Sequence, residues 1–242
     1  MLSQDAIREL SIKNQTIEDN VAREYVQHLF LSALYGQQGS DALLFKGGTA
    51  LKIVFHSPRF SEDLDFSVQK ALSKNKLDSF FLESINKIEN EGILIELKEA
   101  KLTSGGYLGI LSYSFYNFRG EINMEVSLRK EESLEKSVTT IISDFLPAYV
   151  LVYLSPKEIV KGKLLALLNR YKPRDYYDLY FILRHPELNK FADFKKILEI
   201  KEKLLKGRIN FKSELEILLP VSHHMILKNF KQLSIKEIDK HL

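Results

Sequence analysis

The sequence predicts an α+β fold: a half built on a mixed β-sheet, residues 1–150, followed by a helical half, residues 151–242. Three observations predict it. Strand-length apolar runs and alternations are confined to the first part of the chain. Turn signals at Thr103–Gly106 and Phe118–Glu121 separate three consecutive strand patterns. From Ser155 onward the apolar spacing is helical, and its start carries a serine cap, Pro156 at the first helical position and Glu158 three residues after the cap.

Each element follows in order. Residues 1–38 read as helical, with Thr16 ahead of Ile17, Glu18 and Asp19 as a helix start. Ile17, Val21, Tyr25, Leu29 and Ala33 then recur every four residues. Residues 42–46 form a short apolar run and a buried strand, and 49–56 a short helix. Residues 60–68 read as a strand and 74–91 as a helix with Leu77, Phe80, Phe81, Ile85 and Ile88 on one face. Residues 93–98, 107–117 and 121–128 are strands. The connection between the halves is expected at 146–155. Helices fill the remainder, broken near Pro173, Pro186, Gly207 and Pro220.

Composition narrows the function classes. The 242 residues, 45% of them hydrophobic, suit one large domain or two small ones. No apolar run approaches a membrane span, and the charged N-terminal stretch lacks a signal-peptide core, so a cytoplasmic protein is expected. The absence of cysteine excludes disulfides and cysteine-based metal or nucleophile sites. Adjacent His223 and His224 point apart on a helix and offer no zinc spacing. The net charge of +3 is a slight pull toward an anionic partner. Its densest part, Lys195 to Lys206, reads first as the solvated face of a helix and second as a surface for RNA or nucleotide phosphates.

The chemistry concentrates between Lys46 and Val68. Gly47 and Gly48 at a strand-to-helix junction let backbone N–H groups approach a phosphate, and the following helix adds its N-terminal partial charge. Thr49 can cap that helix or place a hydroxyl on a phosphate. Asp63 and Asp65, two apart in a strand, point to one face while Leu64 and Phe66 point to the other. Two like charges this close call for a cation, and Mg2+ or Mn2+ is suited to carboxylate and phosphate oxygens. Glu125, flanked by Met124 and Val126, offers a third carboxylate, whereas Glu121 lies nearer the turn and reads as solvated. Arg59 and Ser61 just before the aspartates are further phosphate candidates.

Gly-Gly-Thr, then D-x-D between apolar residues, then an acid on a later strand resembles the polymerase-β-type nucleotidyltransferase pattern. More narrowly, "KGGTALKIVF" with "PRFSEDLDF" resembles the AbiEii/AbiGii toxin family of nucleotidyltransferases. "REYVQHLFLSAL" and "EIVKGKLLALLNRYKPRDYYDLYFIL" extend the likeness over most of the chain. The resemblance implies a polymerase-β-like nucleotidyltransferase domain, with the helical C-terminal domain completing the cleft. It implies Lys163, beside the apolar stripe Val160, Leu164, Leu167 and Leu168, as a point charge on nucleotide phosphates. It implies an active-site aspartate in "RDYYDL", Asp175 ahead of Asp178, with Arg174 among the nucleotide-binding residues; as plain helix chemistry, Arg174 and Asp178 at i, i+4 form a salt bridge. One departure stands out: Gly162 occupies the place where the family pattern has an acid before the lysine, either to allow close helix packing or to orient the lysine differently.

The expected function is metal-dependent transfer of a nucleoside monophosphate from a nucleoside triphosphate to an acceptor hydroxyl. Asp63, Asp65 and Glu125 hold Mg2+ or Mn2+, and Gly47, Gly48 and Thr49 cradle the phosphates. The resemblance implies the toxin of a toxin–antitoxin or abortive-infection pair, with a cognate antitoxin as partner and RNA, such as the tRNA 3′ end, as acceptor. A protein or small-molecule acceptor is the alternative within the class. A module that binds nucleotide or RNA without transfer is the alternative outside it.

Overall fold

The computed structural model describes residues 1–69, 72–129 and 134–241. The chain divides into two compact units, one of residues 1–56 and 60–154, the other of 57–59 and 155–242.

The first unit contains α1 (Gln4–Lys13), α2 (Glu18–Tyr35), β1 (Leu43–Lys46), α3 (Gly47–Phe55), β2 (Leu64–Val68), α4 (Lys74–Glu89), β3 (Leu94–Thr103), β4 (Gly106–Phe115), β5 (Phe118–Ser127), β6 (Lys136–Ile141) and β7 (Tyr149–Leu154). The strands form one sheet in the order β3-β4-β5-β2-β1-β7-β6. β2 runs parallel to β5 and β1 parallel to β7, and the remaining neighbours are antiparallel. β4 and β5 alternate buried and more exposed residues, as a sheet with one covered face requires. Phe45 and Phe66 meet at 5.6 Å between ring centroids, Phe66 and Phe81 at 6.4 Å, and Phe81 and Phe30 at 5.6 Å. This aromatic seam fastens α2 and α4 to the central strands and holds β1 and β2, which carry the glycine turn and an aspartate, in fixed register.

Several elements differ from expectation, each for a local reason. The helical region 1–38 is two helices, because Gln15 takes a left-handed backbone (φ 52°) between them. The cap of α2 is Ile17, without a side-chain hydrogen bond, and the Thr16 hydroxyl instead accepts from Asn20 at 2.9 Å. The strand expected over 60–68 begins only at Leu64. Gln27 donates to the carbonyls of Ser61 and Glu62 at 3.0 and 3.1 Å, so these residues pair with a helix side chain, outside the ladder. The connection expected at 146–155 contains β7, "YVLVYL", whose Tyr153 pairs with Phe45 of β1. A nearly continuous apolar run is the mark of a parallel interior strand, which has no polar face to alternate.

The second unit contains α5 (Pro156–Asn169), α6 (Pro173–Arg184), α7 (Phe194–Lys206), α8 (Lys212–Leu218), α9 (His224–Leu227) and α10 (Phe230–Asp239). The start of α5 follows the expected chemistry: the Ser155 hydroxyl accepts from the Glu158 amide at 3.4 Å, with Pro156 in the first turn. Tyr177 of α6 stacks on Phe230 of α10 at 5.8 Å, and Phe211 meets the same ring edge-on at 4.9 Å. Gly162 serves no close packing, since a Cβ placed there meets no atom within 4 Å. Gly162→Ala is therefore expected to stabilise the protein by about 1 kcal/mol, the helix-propensity difference, seen as a raised midpoint in urea unfolding.

Candidate active site

The glycine turn is built around Asp65. Lys46 ends β1 in extended conformation and caps α3, and Gly47 follows with φ +88°. A Cβ on Gly47 would lie 2.0 Å from Asp65 Oδ2 and 2.8 Å from its Cγ. Glycine is thus required twice, for the left-handed backbone and for the carboxylate pressed against it. Gly48 and Thr49 are buried in the first turn of α3. The Thr49 hydroxyl donates to the backbone carbonyl of Asp63. Its side chain holds the turn to the segment entering β2; the cap position of α3, one of the two roles expected for Thr49, falls to Lys46.

The register of the sheet then aligns the charges. Lys46 pairs with Asp65 across β1 and β2, and Asp65 pairs with Glu125 across the parallel strands β2 and β5. Direct partners on adjacent strands project from the same face, so cation, carboxylate and carboxylate stand in one row. All three line a cavity of 370 Å³, together with Tyr107, the Gly105–Gly106 turn and Arg129. The Tyr107 hydroxyl donates to Asp78 at 2.7 Å, and Lys74 reaches the other Asp78 oxygen at 2.6 Å, which fixes that wall.

Asp63 sits differently. It precedes β2, and its carboxylate accepts from Asn123 Nδ2 at 3.0 Å. Asn123 shares the exposed face of β5 with Glu121 and Glu125, as the alternation predicts, and Glu121 is engaged by Lys98 at 2.8 Å. Among the described residues, no group of three or more acids or histidines is gathered at metal-binding spacing; the structure juxtaposes two, Asp65 and Glu125. Paired carboxylates at an open cavity are nevertheless the right donors for a hard divalent cation, which completes its shell with water and phosphate oxygens.

The helical unit carries a second charged cluster. Asp178, fully buried on α6, receives Arg59 Nε and Nη2 at 2.9 and 3.0 Å and Lys163 Nζ at 2.6 Å. Burial alone would raise the Asp178 pKa. The adjacent Arg59 and Lys163 charges and their hydrogen bonds outweigh it and hold the carboxyl below its ordinary value. Burial would likewise lower Arg59, but Asp178 drives its pKa upward. Arg59, expected at phosphates, is 3% exposed and spends its guanidinium on Asp178. Asp175, the first-ranked acid of this motif, is buried against Arg170 at 2.6 and 2.9 Å, so Asp178 is the aspartate that touches Lys163. The salt bridge expected from Arg174 to Asp178 is replaced: Arg174 reaches Glu214 at 3.4 Å. The inward-facing Asp178 is held by Arg59 and Lys163.

Sequence reasoning missed Lys46, Arg129 and Arg170. Lys46 directly precedes the glycine pair at the end of a buried apolar run, which was the available signal; the other two carried none. The lysine run on α7 is no bare cationic patch. Lys196, Lys201 and Lys206 face Asp193, Asp239 and Glu202, and Lys203 donates to the Leu168 carbonyl. Among the described residues, no helix is long and apolar enough to cross a membrane.

Comparison with known proteins identifies the class. The family model described as nucleotidyl transferase AbiEii toxin, Type IV TA system, matches residues 29–242. The protein is a nucleotidyltransferase. It belongs to the AbiEii nucleotidyltransferase toxin family. Solved structures share the fold. MenT4, a nucleotidyltransferase toxin from Mycobacterium tuberculosis H37Rv, aligns with a TM-score of 0.72 at 18% identity, over 100% of this chain and 90% of that one. JHP933 from Helicobacter pylori aligns with a TM-score of 0.64 at 20% identity, over 93% of each chain. A putative nucleotidyltransferase from H. pylori aligns with a TM-score of 0.62 at 19% identity, over 99% and 96%. Comparison with curated proteins gave no match.

Proposed function

We propose that this toxin transfers a nucleoside monophosphate from a nucleoside triphosphate to a hydroxyl of RNA, such as the 3′ end of tRNA, in a reaction that depends on Mg2+ or Mn2+. The observation that carries this reading is the pairing of Asp65 with Glu125 at one cavity, with Gly47 and the start of α3 pressed against Asp65. Asp65 and Glu125, joined by Asp63 from the segment before β2, are the residues that would hold the metal. Bound there, the metal would supply positive charge for the phosphate oxygens. The backbone of Gly47 and Gly48 receives phosphate oxygens at the helix N-terminus, and Thr49 keeps that turn in place. The acceptor oxygen bonds to the α-phosphorus, the bond from that phosphorus to the bridging oxygen breaks, and pyrophosphate leaves. Glu125 takes the acceptor proton.

The family likeness supports Lys163 as a charge for the triphosphate, with Asp178 orienting its ammonium and Arg59 bracing Asp178. Ser61, Arg174 and Asp175 complete the proposed set, the last two through the positions they hold in α6. RNA as acceptor draws support from the net charge of +3 and from the family resemblance. A cognate antitoxin and a cytoplasmic site of action follow from the same likeness.

The test incubates the protein with each labelled triphosphate separately, Mg2+, and total RNA or cell extract. Label in RNA that disappears with Glu125→Gln is the expected result. Label in a protein or small-molecule fraction would reassign the acceptor, and nucleotide binding with no transfer to any fraction would overturn the proposal.

A further inference from the structure

Lys46 has no place in the reading above, yet it stands in the same row as the two carboxylates. It is the direct partner of Asp65, Asp65 is the direct partner of Glu125, and all three line one cavity. Neighbouring strands lie about 4.8 Å apart, so the sheet places a lysine one strand from an acid pair. Its backbone is held between the β1 ladder and the α3 cap, so any change in where its charge lies is made by the side chain. Adjacent carboxylates repel, and a nearby ammonium offsets that repulsion. The same ammonium opposes a divalent cation entering alone, because it is a like charge at close range. A triphosphate changes the balance by offering the ammonium new anionic oxygens.

Resting on the reading of Asp65 and Glu125 as the metal-holding pair, we infer that Lys46 is the resident counter-ion of that pair in the nucleotide-free protein. It turns to the phosphates as metal and nucleotide arrive together. Lys46 is thus a positioning residue that couples metal binding to nucleotide binding, so that the toxin does not load metal on its own.

The experiment follows Mn2+ binding by the loss of the free-ion paramagnetic resonance signal, with and without a non-hydrolysable ATP analogue. Lys46→Met is expected to bind Mn2+ about tenfold more tightly than wild type without nucleotide, and to lose most of the enhancement that the analogue brings. Lys46→Arg keeps the charge and is expected to behave as wild type. Lys98→Met, whose lysine pairs with Glu121 elsewhere on the sheet, is expected to leave Mn2+ binding unchanged. Thermal melting by circular dichroism checks that each variant is folded, and Lys46→Gln repeats the measurement with a polar side chain. Unchanged or weaker Mn2+ binding in folded Lys46→Met and Lys46→Gln overturns the role of Lys46. Adding Glu125→Gln to Lys46→Met separates the two ideas: Mn2+ binding that survives it places the metal elsewhere and overturns the site reading itself.

Discussion

Asp65→Asn should lower nucleotidyl transfer by about a thousandfold or more while leaving the melting temperature unchanged or higher. The activity loss follows from removing a charge on which the proposed metal and the leaving phosphate depend; deleting one such electrostatic group costs a factor of about a hundred to a thousand, and a metal donor shared with a second carboxylate stands at the upper end. The stability effect has the opposite sign. Asp65 is half-buried directly beside Glu125, and like charges on facing strand positions destabilise a sheet. Asparagine keeps the shape that fits against Gly47 and removes the repulsion, and the solvent-screened attraction to Lys46 that it also gives up is worth no more than about 1 kcal/mol. Single-turnover kinetics with labelled nucleotide and a calorimetric melt on the same sample test both halves. A variant that kept a tenth of the activity would remove Asp65 from the reacting centre. One that melted far lower would make Asp65 a structural residue.

Asp178→Ala is expected to destabilise the protein by about 3–5 kcal/mol. The carboxylate has two cationic partners, Arg59 and Lys163, both buried, and removing it strips both of the acid they share in the interior. Asp178→Asn, which retains hydrogen-bond acceptance at one atom, should lose less. The pH dependence has a definite sign. The folded carboxyl lies below the ordinary value of about 3.9, so its contribution is complete above that pH. The contribution is lost as the pH falls through the folded-state value. Urea unfolding of wild type and Asp178→Asn between neutral pH and pH 3 should therefore show curves that converge only at the acid end. Parallel curves over that whole range would contradict the assignment.

Much of the candidate site was legible because its residues are close in sequence or share a strong period. Gly47, Gly48, Asp63 and Asp65 lie within one helix length of each other, and the alternation of β5 by itself puts Asn123 and Glu125 on one face. The Ser155 cap and the proline breaks marked the helices for the same reason, since caps act over one turn. β7 was missed because its residues are all apolar and, Val150 apart, all buried, so it has no alternation to distinguish it from a connection. The choice between Asp175 and Asp178 was equally out of reach. Three residues apart on one helix, they are equivalent to local rules. Only the packing of α5, α6 and the segment 57–59 gives Asp178 to Lys163 and Arg59, and Asp175 to Arg170.

By itself, then, the amino-acid order determined the α+β division, the glycine turn, the acids available to a metal and the family to which the protein belongs. The tertiary structure alone decided which charges meet. It set Lys46, Asp65 and Glu125 in one row, turned Thr49 inward to the Asp63 carbonyl, and withdrew Arg59 into the helical interior. The reason is physical. Periodicity and capping are short-range properties that a sequence displays directly, whereas strand register and buried ion pairing join residues as many as 119 positions apart, and only closure of the chain selects among them.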